Sequence, residues 1–264
     1  MCITAANGNL KKTKIIAGED WFVYANEAET KKSNSMLLAI PCKSEKDFTA
    51  LDGTPWVPMF NQLEKDLPIY VDPNASRGIS HKGLSVEQVG MYKCIKGEVS
   101  FFREYCEKAD FEISPEMVDF FENHYKGWCF LSCEWEGNKK MDEQPIWVRY
   151  NSIFKDLIYI PMMDGHGHVP VRGDEYRDHR LAFTCKGNLT GKLYDTPMGP
   201  MKFITQAIGE NFTPYQRYSN GDAFVEKAEY LSSEVYKGKV HCSFDLPETY
   251  DEKLAREIID IGCR

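Results

Sequence analysis

The apolar positions of the first third of the chain alternate or cluster in short runs bounded by turn signals, the signature of strands. Ile3 to Ala6 runs into Asn7-Gly8, a hairpin turn signal, and Lys14 to Ala17, Trp21 to Asn26 and Met36 to Pro41 follow as further apolar runs. This pattern predicts an antiparallel meander starting at the N-terminus. Between about 52 and 83 the prolines Pro55, Pro58, Pro68 and Pro73 break any long element, and an irregular excursion is expected. Val89 to Ile95 resumes a strand. A helix over 98–108 places Val99, Phe102 and Cys106 on one face. A second helix has an explicit start: Ser114 as the cap, Pro115 at the first helical position, then Met117, Phe120 and Phe121 at helical spacing, with Gly127 as the stop.

The second half is strand-rich. Cys129, Leu131, Cys133 and Trp135 share one face of a strand, and Phe130, Ser132 and Glu134 the other. Runs at 146–150, 157–162, 181–185 and 240–244 read as strands, and those at 203–208, 222–231 and 252–259 as helices. Strands in clusters with a few helices predict an α+β fold with antiparallel sheets and packed helices. No shift in composition marks a boundary, so residues 1–264 read as one domain with the excursion at about 52–83.

Charge and cysteine usage narrow the classes. The net charge is −8, and no run of Lys or Arg exceeds two, so neither nucleic acid nor an anionic membrane is an expected partner. The nine cysteines have no framework spacing, no secretory signal pattern is seen, and no apolar run approaches the length of a bilayer span. Reduced thiols in the cytoplasm are the expectation.

Position 2 offers the sharpest chemistry. Removal of Met1 would leave Cys2 with a thiol and an α-amine of pKa about 7.7–8.0, a nucleophile and a base on one residue. With Ala17-Gly18-Glu19-Asp20-Trp21 after the second strand, this start resembles the cysteine-type N-terminal nucleophile hydrolases, the choloylglycine hydrolase and penicillin V acylase group. The resemblance covers about the first 25 residues and lacks the Arg that the group carries before its acid. It implies a four-layer αββα sandwich and hydrolysis of a linear amide bond in a small-molecule or peptide substrate through a thioester. It also implies that Asp20 orients the amine. Asn34 is a candidate oxyanion donor, with Asp164 and His166 shaping the pocket, and no cofactor is required. Cys2 equally suits a small buried residue of a first strand.

Met163-Asp164-Gly165-His166-Gly167-His168 ends an apolar strand, with Asp178 and His179 close behind. His166 and His168 fall on one side of an extended segment. With Asp178 they are an alternative divalent metal site, zinc for instance, of a metal-dependent hydrolase. The same segment also reads as a solvated Gly-rich turn. A non-catalytic structural or partner-binding protein is the third reading.

Overall fold

The computed structural model describes residues 2–5, 9–29, 34–67, 85–109, 111, 113–136, 140–141, 144–171, 179–184, 192–208, 221–226, 240–243 and 258–259. They form an α+β fold of mostly antiparallel sheets with three short α-helices. None of these helices is long and apolar enough to cross a membrane.

The first four strands are β1 (Cys2–Thr4), β2 (Asn9–Gly18), β3 (Trp21–Glu29) and β4 (Asn34–Ile40). They do not make a meander. β2 and β3 pair with each other, while β1 pairs with β4 in a different sheet. Short-range turn signals cannot reveal this, because the partner that captures β1 on its other side is β12 (Asp164–His166), which lies far along the chain and runs parallel to it. The Asn7-Gly8 turn lies outside the described residues.

One sheet has six strands in the order β12-β1-β4-β8-β7-β6, where β6 is Ser85–Val89, β7 Tyr92–Glu98 and β8 Cys129–Trp135. A second sheet has the order β14-β15-β13-β2-β3-β10-β5. Here β5 is Phe48–Asp52, β10 Ile146–Tyr150, β13 His179–Phe183, β14 Lys192–Tyr194 and β15 Met201–Ile208; β9 (Lys140–Met141) joins it by pairing with β3. A smaller sheet joins β11 (Leu157–Ile160), β16 (Asp222–Glu226), β17 (Val240–Ser243) and β18 (Ile258–Ile259).

Alternation decides what each face meets. On β3, Phe22 and Tyr24 enter the main core, whereas Trp21, Val23 and Ala25 enter a second core with Trp56, Phe60 and Leu63. These last three lie in or just before α1 (Val57–Asp66), which covers that face. The main-core face turns toward the six-stranded sheet, since Asn26 Nδ2 on β3 meets Met36 Sδ on β4 at 3.4 Å. Met36 is in register with Cys133. On the opposite face of β8, Phe130, Ser132 and Glu134 carry α2 (Phe102–Lys108) through Phe102 and Tyr105. Behind α2, Phe102 stacks on Phe121 of α3 (Pro115–His124) at 4.3 Å.

The helix start at Ser114 is as the sequence predicts: its Oγ accepts from the Met117 amide at 3.2 Å. Gly127 at φ 80° lets the chain reverse into β8, a conformation costly for any residue with a Cβ. Four stretches differ from expectation. The 52–83 excursion contains α1, because Pro55 and Pro58 occupy first-turn positions where a missing N–H costs nothing. Residues 203–208 are strand, not helix, since β15 sits between two neighbours that pair with its backbone. Residues 222–226 are strand for the same reason. The helix expected at 252–259 lies largely outside the described residues, and Ile258–Ile259 within it are strand.

Candidate functional site

Three ladder steps bring part of the sequence-predicted set together. Cys2 is in register with Asp164, Ile3 with Gly165 and Thr4 with His166. The following Gly167 amide donates to the Thr4 carbonyl at 3.1 Å, anchoring the Gly-rich segment against β1. Gly165 is required sterically: a Cβ there would approach the His168 carbonyl oxygen at 2.9 Å and the Pro170 ring at 3.0 Å. The segment read as a strand-end turn is thus a short edge strand, and its glycine has a packing reason.

The other expected members lie elsewhere. β4 runs antiparallel to β1 with Ile3 opposite Leu37, so Cys2 is opposite Leu38, four positions from Asn34. At roughly 3.3 Å per residue that separates them by roughly 13 Å along the strand. Asn34 is fully buried, and its Oδ1 accepts from the Ser35 amide at 2.8 Å. Asp20 belongs to the turn between β2 and β3 of the other sheet, and its carbonyl accepts from the Tyr150 amide at 3.0 Å. His168 is exposed, Asp178 lies outside the described residues, and no cluster of three His, Cys, Asp or Glu among the described residues is arranged to hold a metal ion.

Asp222, which belongs to no sequence motif, organises the approach to β12. It is fully buried. Its Oδ1 accepts from the Met162 amide at 3.0 Å and the Met163 amide at 3.1 Å, and its Oδ2 accepts from the Tyr125 hydroxyl at 2.7 Å. Burial, then the charge of Asp222, pushes the Tyr125 and Tyr159 phenols well above their ordinary values, so both remain protonated. The two amides immediately precede Asp164; the carboxylate therefore sets where β12 begins.

Asp20 takes part in a different feature. It lines a cleft of about 450 Å³ with Lys46, Asp47, Thr49, Arg149 and Asn151, and Phe48, Leu51 and Tyr150 complete the lining. The walls are pinned by backbone bonds: Tyr150 N to Asp20 O at 3.0 Å and Asn151 N to Asp47 O at 2.8 Å. Lys46 and Arg149 are exposed. Two cations and two carboxylates, from the β2–β3 turn, from the turn before β5 and from β10, can grip a charged, polar segment. The lining holds no thiol and no imidazole.

No protein-family model matches the chain, and no curated protein does. The fold is similar to solved structures of baculovirus P35. One gives a TM-score of 0.43 at 10% identity, covering 83% of this chain and 88% of that one. A mutated baculovirus P35 after caspase cleavage gives 0.41 at 8% identity, covering 88% and 90%. A chain of the caspase-8/P35 complex gives 0.37 at 10% identity, covering 88% and 87%.

None of these is an N-terminal nucleophile hydrolase. The resemblance to the choloylglycine hydrolase and penicillin V acylase group is corrected, and with it the thioester-forming cysteine hydrolase and its small-molecule or peptide amide substrate. The physical reason is visible in the fold. β1 and the β2–β3 turn belong to different sheets, so no strand ladder sets Cys2 beside the Gly18–Trp21 stretch.

Proposed function

We propose that the chain is a non-catalytic, partner-binding protein that engages a protein partner through the charged cleft between the β2–β3 turn and the ends of β5 and β10. The observation that carries this reading is the cleft's composition. Lys46, Arg149, Asp20 and Asp47 converge there on a rigid frame, with no reactive thiol or imidazole beside them. Such a site supplies orientation and specificity through charge complementarity, not bond cleavage. The packing of the two faces of β3 and of β8 supports a layered order for the whole: the α2–α3 pair, the six-stranded sheet, the larger sheet, then α1.

The test is cross-linking of the full chain in extracts of its source, beside a Lys46→Glu/Arg149→Glu double variant. A stoichiometric protein partner, cross-linked next to the cleft and lost in the double variant, supports the reading. Turnover of amide substrates by the purified chain, or a partner held equally by both proteins, contradicts it.

A further inference from the structure

The geometry points to a latent disulfide between Cys94 and Cys133 that forms by thiol–disulfide exchange when the β6–β7 hairpin opens. β7 and β8 are antiparallel, and Cys94 lies directly across from Cys133. The Val99 amide donates to the Trp128 carbonyl at 2.9 Å, which marks odd-numbered positions of β7 as the hydrogen-bonded pairs of this ladder. Cys94 and Cys133 therefore form a non-hydrogen-bonded pair, where Cα atoms stand about 4.5 Å apart and side chains come closest. That spacing falls within the range of about 4.4–6.8 Å that a disulfide spans. The next such pair on this face, Tyr92 and Trp135, is in edge-to-face contact at 6.3 Å.

Both thiols are reduced and fully buried, and they touch each other. Cys42 and Cys129 are also neighbouring thiols, but Cys129 sits across from Ile40, which leaves Cys42 two positions out of register. Among the described residues, only the Cys94–Cys133 pair has the directly opposed placement.

The chemistry needs an oxidant, and a low-molecular-weight disulfide such as glutathione disulfide supplies it. The Cys94 thiolate attacks one sulfur, forming a mixed disulfide and releasing one glutathione thiolate. The Cys133 thiolate then attacks the Cys94 sulfur and releases the second. The protein loses two hydrogens, and the oxidant is reduced to two thiols that take up the two protons. Burial holds the Cys133 thiol protonated, so thiolate is scarce while the strands are closed. β6 is the edge strand of its sheet, so separation of the β6–β7 hairpin from β8 exposes both sulfurs together. Closure of the bond then fixes that hairpin to the rest of the sheet.

The full chain is incubated with glutathione disulfide at neutral pH, with and without sub-denaturing urea, then alkylated and digested without reductant. The expected product is two hydrogens lighter, with the Cys94 and Cys133 peptides joined, and it forms at least about tenfold faster in urea. Its melting temperature lies above that of the reduced chain by on the order of 10 °C, and dithiothreitol reverses this. Cys94→Ala abolishes the link, while Cys42→Ala retains it. Separate glutathione adducts without closure, a link to another cysteine, or a rate indifferent to urea overturns the inference. Should Cys94→Ala fail to fold, the peptide map of the unaltered chain decides alone.

Discussion

The Tyr125 hydroxyl donates a 2.7 Å hydrogen bond to the carboxylate of Asp222, 97 positions away in the sequence. That bond joins the end of α3 to the start of β16, and the other carboxylate oxygen holds the two amides that lead into β12. Asp222→Ala strands the buried Met162 and Met163 amides and the Tyr125 hydroxyl, and a loss of about 3–5 kcal/mol is expected from urea unfolding. Tyr125→Phe removes one bond to the charge and should cost about 2 kcal/mol. An Asp222→Ala midpoint matching that of the unaltered chain would remove the carboxylate from its organising role.

A second buried chain of bonds crosses the six-stranded sheet. The Ser35 and Ser132 hydroxyls bond to each other, Tyr105 joins Ser132 at 2.5 Å and Glu134 at 3.0 Å, and Lys93 donates to Glu134 at 2.6 Å. Burial raises the Glu134 carboxyl above its ordinary value, against the opposing pull of Lys93 and Tyr105. The native state then binds a proton more readily than the unfolded chain. Stability from this group is full below the unfolded value and is lost as pH rises through the folded one. Urea midpoints from about pH 4 to about pH 7 should therefore fall for the unaltered chain relative to Glu134→Gln; parallel curves would refute the linkage.

Asp66 has the opposite sign. Burial opposes its ionisation, but hydrogen bonds from Lys192, Tyr194 and Gln62 outweigh this and hold its carboxyl below the ordinary range. Its stabilising contribution is present above the unfolded value and disappears as pH falls through the folded one. Lys192 and Tyr194 reach Asp66 at 2.7 Å, tying β14 to the end of α1. Asp66→Asn should cost about 1 kcal/mol near neutral pH and nothing in strong acid, read from melting curves at the two pH values.

The cap of α3 is the cleanest local test. Ser114→Ala deprives the Met117 amide of its partner and should lower stability by about 1 kcal/mol in the same assay. Ser114→Asp should restore most of it, since Asp caps as well as Ser. An Asp variant no better than Ala would mean that the hydroxyl is not acting as a cap.

Features set by near neighbours were legible in the sequence. Ser114-Pro115 starts a helix and Ile146–Tyr150 is a strand. The chain's capture of β1 by β4 and β12, the strand state of 203–208, and the Asp222 hub depend on partners far along the chain that no window contains. α1 was hidden because Pro55 and Pro58 read as breakers when they mark a helix start. The pairing of Cys2 with Asp164 follows a register that the Asp-Gly-His-Gly-His pattern does not reveal. Lys46 and Arg149 carry no motif at all; only the fold brings them beside Asp20.

The most direct measurement is calorimetric titration of the purified partner, identified by the cross-linking above, into the unaltered chain and into Lys46→Glu/Arg149→Glu. A cleft that binds by charge predicts an intact partner after the titration and a Kd weakened by roughly 100-fold in the double variant. An unchanged Kd, or a partner recovered cleaved, contradicts the account.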